Sequence, residues 1–375
     1  MKILHLLASV NFGGAEKNLL NLIPYLKKRG CDIYVSFGKG GVLLDGFIKS
    51  GAKVNVISPY VLSYKNFSNL LKSIYNLYLL IKYEKIDLIH SHLNVPHFVA
   101  GILKILTKIP IITHIHGYGI FNKKEFADLK IPNFLKVSYT NVIMSRFFLP
   151  LSDKIITITK GSLKALQKRN FISKKNLCYI PNGIFIPSVN SKERYMNRSY
   201  NFVSLGRLVE QKNYSFLIEV IKDIPKEFDC KVYIAGNGPL YNHLKKMIEH
   251  YNLTNRVFLL GYVDNVYKIL NKSHCFILSS IWEFFPISVL EAMSMSLPII
   301  ASDVGGMEDL IDHGENGFLC PVNNKEKFLE NMIHLMKNKE KGIQMGEKSF
   351  QKVKKSFLIS EIANKIFNVY NEILK

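Results

Sequence analysis

The sequence predicts an α/β protein made of two parallel, doubly wound sheets laid one after the other along the chain. Three observations predict it. A length of 375 residues is too long for one typical core and suits two domains. Short apolar runs alternate with amphipathic stretches, the pattern of parallel strands joined by crossover helices. The alternation then stops at one polar stretch, residues 188–199, and starts again.

In the first half, residues 3–8 read as a strand and 16–29 as a helix. Residues 32–37 and 54–57 read as strands and 67–83 as a long helix. Strands follow at 88–90, 110–114 and 154–159, with a helix at 160–169. A strand at 177–180 ends at Pro181-Asn182-Gly183. In the second half, strands are predicted at 201–205, 231–235, 257–260, 275–278 and 298–301. Helices fall at 214–221, 239–251 and 264–271, and 361–374 is an amphipathic last helix.

Composition excludes several classes. With 48% hydrophobic and 21% charged residues the chain is globular. It has no run of 18 uncharged apolar residues, so no transmembrane helix is expected. The apolar start, Met1 to Val10, is too short for a signal peptide and reads as a buried first strand. Five scattered cysteines without a Cys-x-x-Cys read as reduced, buried thiols.

Charge is uneven. Residues 1–190 carry 26 Lys+Arg against 8 Asp+Glu, net +18, whereas residues 191–375 carry 24 against 21, net +3. A general lysine bias would act on both halves, so the asymmetry implies an anionic partner for the first. That partner is expected to be a membrane surface or a lipid diphosphate. No nucleic-acid motif is present, and no nucleic acid is expected. Aromatic and basic residues crowd 121–148: Phe121, Lys123, Lys124, Phe126, Lys130, Phe134, Lys136, Tyr139, Arg146, Phe147 and Phe148. They suit a membrane interface, or equally an amphipathic helix packed on the sheet.

The most specific stretch is Glu283-Phe284-Phe285-Pro286-Ile287-Ser-Val-Leu-Glu291. Pro286 suits a first helical turn, and Ile287, Val289, Leu290 and Met293 give the helix an apolar face. Glu283 then precedes the helix and Glu291 sits about two turns inside it. The first N–H groups of that helix have no internal partner and form an anion site between two carboxylates. Such a site suits a ligand with both phosphates and hydroxyls, such as a nucleotide sugar. Glu291, on a mostly apolar helix, needs a partner. Arg207 and Lys212, after Gly206 and a strand, offer a planar fork and a point charge for phosphate oxygens.

Gly13, Gly14 and Glu16 open the first helix, where glycine lets a backbone approach a ligand. Gly236-Asn-Gly238 lacks the spacing of a dinucleotide fingerprint. His116 follows a parallel strand, at the end where open α/β sheets bind ligands. His90, His92, His97, His114 and His116 have no carboxylate or cysteine at ligand spacing, and no Asp-x-Asp occurs, so no metal is expected.

These pieces together resemble the retaining glycosyltransferases of the GT-B fold, family 4 type (group 1), over nearly the whole chain. The resemblance rests on Gly13-Gly14-Ala15-Glu16, His116-Gly117, Ile180-Pro181-Asn182-Gly183 and Gly206-Arg207 with Lys212. It rests also on Glu-x7-Glu ahead of Leu297-Pro298, and on Gly305-Gly306 with Asp309 to Gly317. It implies two Rossmann-like domains facing across a cleft: an acceptor domain 1–187, a linker 188–199 and a donor domain 200–358. A last helix, 359–375, crosses back to the first domain.

By the same resemblance Arg207 and Lys212 hold the donor diphosphate. Glu291 takes the ribose hydroxyls, and Glu283 the hydroxyls of the transferred sugar. Gly13, Gly14, Glu16, Phe284, Phe285, Pro286 and Ile287 complete the donor site, and His116 acts at the reacting centre. The family's usual proposal is front-face attack without a protein nucleophile or a metal.

The expected activity is hexosyl transfer from a nucleotide sugar, UDP-sugar favoured, to a lipid-linked or surface-glycan acceptor. Polyprenyl diphosphate is the carrier expected, as in lipopolysaccharide or capsule synthesis, at the cytoplasmic face of the membrane. Two departures stand out. Phe284 and Ser296 replace glycines common in the family. They leave a catalytically silent subunit, or a nucleotide-sugar epimerase, as the alternatives.

Overall fold

The structure is a computed structural model that describes residues 1–8, 13–38, 40–57, 67–132, 135–188, 194 and 199–375. It divides into two compact units. One holds residues 1–129, 133–183 and 359–375, the other 130–132 and 184–358.

The first unit is built on seven strands: β1 (Lys2–Leu7), β2 (Asp32–Phe37), β3 (Lys53–Val56), β4 (Leu88–His92), β5 (Ile111–Ile115), β6 (Lys154–Thr157) and β7 (Leu177–Tyr179). Their order is β3-β2-β1-β4-β5-β6-β7, and every pairing is parallel. The second unit has six: β8 (Tyr200–Leu205), β9 (Cys230–Ala235), β10 (Val257–Gly261), β11 (Cys275–Leu278), β12 (Ile299–Ser302) and β13 (Gly317–Cys320). They run β10-β9-β8-β11-β12-β13, again all parallel.

Burial on both faces explains the near-continuous apolar runs of these strands. All residues of β8, β11 and β12 are buried. In each sheet the strand order reverses once, between β1 and β4 and between β8 and β11. Such a reversal opens a crevice at the carboxyl ends of the two strands. Both candidate sites lie at those ends.

The last helix, Ile359–Leu374, belongs to the first unit. Ile359, Ile362, Ala363, Ile366, Val369 and Tyr370 form its buried stripe, spaced three and four apart. That stripe shares a core with Leu19, Leu22, Ile23 and Leu26 of the Gly14–Lys27 helix. Arg29 fastens the contact, donating to Asn364 Oδ1 at 2.7 Å and to the Ser360 carbonyl at 3.3 Å.

Most of the expected linker, 188–199, lies outside the described residues. Arg194 is described, and it is fully buried. Its guanidinium donates to the carbonyls of Met295 (2.7 Å) and Ser296 (3.1 Å), at the C-terminal end of the Ile287–Ser294 helix. Ser296 has φ +55°, the left-handed position that glycine fills most easily at a helix end. A buried cation on the last carbonyls offsets part of that cost.

The aromatic stretch 121–148 splits in two. Phe121 and Phe126 are core residues, 1% and 0% exposed, so packing is the correct reading for them. Ile143 and Phe147 on the Tyr139–Phe148 helix are 57% and 65% exposed. Phe134 lies outside the described residues. All five cysteines are free, and Cys31, Cys230, Cys275 and Cys320 are buried. No helix among the described residues is long and apolar enough to cross a membrane.

Candidate active site

The second unit gathers Arg207, Lys212 and Glu283 at the carboxyl ends of β8 and β11. Gly206 follows β8, and a Cβ there would crowd Lys212 Cε and Tyr214 Oη, each 2.9 Å away. Glycine therefore lets the Lys212 side chain lie across the strand end. Arg207 comes next and is exposed, and its guanidinium makes no hydrogen bond or ion pair among the described residues. It is a cation without a counter-ion.

Lys212 ends a short 3-10 turn, Glu210–Lys212. Its ammonium donates to Glu283 Oε1 at 2.5 Å, and both side chains are mostly buried, 13% and 7% exposed. Ser280 Oγ donates to the same carboxylate oxygen at 2.7 Å. The loop that carries Glu283 is tied to the Lys212 turn by three further contacts. Ile281 N–H donates to the Gln211 carbonyl at 2.8 Å, and Gln211 Nε2 to the Trp282 carbonyl at 2.9 Å. Ser279 Oγ donates to the Lys212 carbonyl at 3.0 Å. Such ties hold two side chains from distant sequence in one geometry, as a binding site requires.

The helix after Glu283 spans Ile287–Ser294, with Pro286 as its N-cap at φ −72° and ψ 120°. Pro286 thus stands just before the helix rather than in its first turn. No side chain caps this end, so the first N–H groups face outward as donors for an anion. Glu291 is the fifth residue of an eight-residue helix, one turn inside it instead of two. It is 3% exposed, and its charge, after burial itself, helps push the buried Tyr267 hydroxyl up. Phe285 and Ile287 are buried, with Phe285 against Phe357 at 5.9 Å between ring centroids. Phe284 is partly exposed at the mouth of the loop.

Gly305, at φ +56°, passes so close to the Glu283 carbonyl that any Cβ would collide with it. Gly306 N–H then donates to the Phe284 carbonyl at 2.9 Å. The distal glycine pair therefore packs on the glutamate loop. Gly236 and Gly238 do the same for the turn after β8, against the carbonyls of Gly206 and Leu208.

The remaining candidates belong to the first unit. Gly13 caps the Gly14–Lys27 helix without a side-chain bond. The Glu16 carboxyl folds back over Gly13 in the first turn, 6% exposed, and burial pushes it above the usual carboxylate range.

His116 follows β5. Its Nε2 pairs with His92 Nδ1 at 2.9 Å, and its Nδ1 is buried without a partner. Burial holds its pKa down at about 3, so the ring is neutral. His92 in turn meets His5, on β1, at 3.0 Å, a residue that sequence reasoning missed. The sequence signal was a histidine inside the apolar run of β1; the register that sets His5 opposite His90 comes only from the fold. Ser280 was missed as well, although a hydroxyl three residues before a buried carboxylate is a plausible local partner.

Two parallel, doubly wound sheets in one chain, with the C-terminal helix built into the first, are the GT-B architecture. The chain belongs to the family 4 glycosyltransferases. Residues 12–186 match the family described as Glycosyltransferase Family 4, and residues 190–352 the one described as Glycosyl transferases group 1. An uncharacterized glycosyltransferase of Methanocaldococcus jannaschii is 31% identical, covering 86% of this chain and 82% of its own. The UDP-Gal:alpha-D-GlcNAc-diphosphoundecaprenol alpha-1,3-galactosyltransferase of Escherichia coli is 27% identical, covering 99% and 96%. The crystal structure of Anabaena Alr3699/HepE in complex with UDP has the same fold, with TM-score 0.81 at 20% identity over 99% of this chain and all of that one.

Proposed function

We propose that the protein is a retaining, metal-independent hexosyltransferase. It moves a sugar from a nucleotide sugar, UDP-sugar first, to a lipid-linked or surface-glycan acceptor at the cytoplasmic face of a membrane. One observation carries the reading: Arg207, the Lys212–Glu283 pair and the uncapped Ile287–Ser294 helix meet at the switch point of one parallel sheet.

On this reading the diphosphate lies against the helix N-terminus. Arg207 and Lys212 neutralise it, most strongly as charge grows on the leaving oxygen. Glu283, released from Lys212, accepts from a sugar hydroxyl, and Glu291 from the ribose. The acceptor hydroxyl attacks the anomeric carbon on the face the diphosphate leaves. Its proton passes to the departing phosphate oxygen, so no protein nucleophile is needed. His116 offers a neutral ring to the reacting centre.

The name of the Escherichia coli relative, with its diphosphoundecaprenol acceptor, supports a lipid diphosphate here. So does the net charge of +18 in residues 1–190. Ile105 and Leu106, each 55% exposed, join Ile143 and Phe147 as apolar groups beside Lys108 and Arg146. These suit the headgroup boundary of an anionic bilayer.

The test is a thermal-shift panel with UDP, GDP, ADP and CMP, each with and without EDTA. A ligand at about 100 times its Kd adds roughly 2.7 kcal/mol. A UDP shift that EDTA leaves unchanged is expected. A melt that none of the four moves, or a shift that EDTA abolishes, overturns the reading.

A further inference from the structure

We propose that His92, His114 and His116 form a binding site for a divalent transition-metal ion, with zinc the best-fitting class. All three residues belong to the first unit; His116 is shared with the reacting centre proposed above, and the metal is inferred from the histidine geometry alone.

The backbone places the ligands. Alternate residues of a strand face the same way, so His90 and His92 on β4 share a face with His114 and His116 at the end of β5. The register sets His92 opposite His114 and His5 opposite His90. Five imidazoles therefore stand in one buried ladder. One nitrogen from each of His92, His114 and His116 falls within 4.8 Å of the others.

Hydrogen-bond counting shows that the ladder is incomplete. A neutral imidazole has one donor and one acceptor. One chain runs from His5 Nδ1 to His92 Nε2 (3.0 Å) and from His92 Nδ1 to His116 Nε2 (2.9 Å). The other runs from the Tyr370 hydroxyl to His90 Nδ1 (2.7 Å) and from His90 Nε2 to His114 Nδ1 (3.2 Å). A chain of neutral rings must end in a donor or acceptor with nothing to bind. Here the ends are His5 Nε2, His114 Nε2 and His116 Nδ1, all buried and partnerless. One of them, His114 Nε2, is a ligand atom of the proposed site.

A metal ion would satisfy His114 Nε2, at the cost of one bond and with His5 Nε2 and His116 Nδ1 left as they are. His114 already gives Nδ1 to His90, and His92 gives Nε2 to His5, so His114 Nε2 and His92 Nδ1 are the natural ligand atoms. Only the His92–His116 bond must open. Its 2.9 Å spacing widens to about 3.3 Å when both nitrogens bind one tetrahedral zinc at 2.0–2.1 Å. His5, His90 and Tyr370 then form the outer shell that orients the ligands.

A set of imidazoles alone suits zinc, copper or nickel and does not suit magnesium or calcium. The sequence expectation of no metal rested on a missing carboxylate or cysteine, and three histidines with an open fourth position need neither. His116 is partly exposed and leaves that position to water or a ligand.

The test uses tag-free, full-length protein stripped with EDTA. Zinc is titrated by calorimetry, and cobalt is added as a spectroscopic probe. One equivalent should bind, and cobalt should give a four-coordinate spectrum without a thiolate charge-transfer band. His90→Gln, an outer-shell change, should weaken binding by about 10-fold or more. His114→Gln should weaken it further, and His250→Gln should leave it unchanged. No binding, a thiolate band, or equal affinity in folded His114→Gln protein overturns the proposal. If His114→Gln fails to fold, the wild-type cobalt spectrum and His90→Gln still decide. Loss of UDP binding in any variant bears on the proposed function and not on this site.

Discussion

Replacing Glu283 with Gln should tighten the binding of UDP while slowing transfer. In the unliganded protein Lys212 is neutralised by Glu283 at 2.5 Å, with both side chains at least 87% buried. A diphosphate must therefore take the ammonium away from a carboxylate. Gln keeps the shape and still accepts from Ser280 Oγ, now at 2.7 Å from the carboxylate, but it carries no charge. Exposed pairs are worth about 0–1 kcal/mol, whereas breaking a buried pair costs about 3–5 kcal/mol. This one lies between, so about 2 kcal/mol of competition should vanish. That is about 30-fold in the Kd for UDP.

Lys212→Ala should act in the opposite direction. It removes a cation from the diphosphate and leaves Glu283 buried without its ion partner. UDP binding should weaken and the melt should fall. The double variant Lys212→Met, Glu283→Gln removes both charges, so it should recover stability without recovering UDP affinity. Calorimetric titration of the four proteins with UDP closes the cycle. Transfer should drop at least about tenfold in every variant, about 1.4 kcal/mol of barrier. A Glu283→Gln protein that binds UDP no more tightly than the parent would refute the competition and the role of Lys212 with it.

Arg207→Ala should lower transfer by at least about tenfold, yet leave the melt within about 0.5 kcal/mol, because its side chain is exposed and unpaired. Ser296→Gly should gain about 0.5 kcal/mol, the relief of a left-handed serine less the extra freedom of unfolded glycine, read as a rise of about 1–2 °C in Tm. Acidification should destabilise the fold. Burial, then the charge of His116, lowers His97 to about 3, and burial, then Lys339 and Arg194, lowers His274 to about 4. Both are depressed below an unfolded value of about 6.5, so the unfolded chain binds more protons. Stability is complete above about pH 6.5 and is lost towards pH 4 and 3, which urea midpoints across that range should show. Phe147→Glu should weaken sedimentation with anionic vesicles without changing the melt, since Phe147 is 65% exposed.

The parts of this structure legible in the sequence are those whose causes are local. The glutamate loop could be read because Pro286, an apolar stripe and two carboxylates fall within one short segment. The strands could be read because burial on both faces makes them continuous apolar runs; β11 begins and ends where the pattern predicts. Helix Asn94–Thr107 escaped because its centre is buried among neighbours, and Phe98 to Leu103 shows little polar alternation. Strand β13 escaped because it has four residues and begins with Gly317, where a side chain would strike the Ile299 carbonyl. Arg194 looked like linker because its partners, two helix-end carbonyls, lie about a hundred residues away. The Phe121 and Phe126 rings could be read as interfacial or as packed, because a run of lysines says nothing about which way an aromatic ring turns.

The two sheets carry the same topology yet treat their switch points in opposite ways, and electrostatics accounts for the difference. After β8 and β11 the chain sets out fixed charge: an unpaired guanidinium, an ion pair ready to exchange, and free helix amides. Such a site can meet a multiply charged ligand without rearranging its own dipoles. On β1 and β4, and on the neighbouring β5, it sets out neutral rings whose protonation burial suppresses. Neutral imidazoles carry no charge of either sign, and can still donate or accept one hydrogen bond, or give up a lone pair. The net charge of +18 in residues 1–190, counted with neutral histidines, comes from lysines and arginines and not from the ladder.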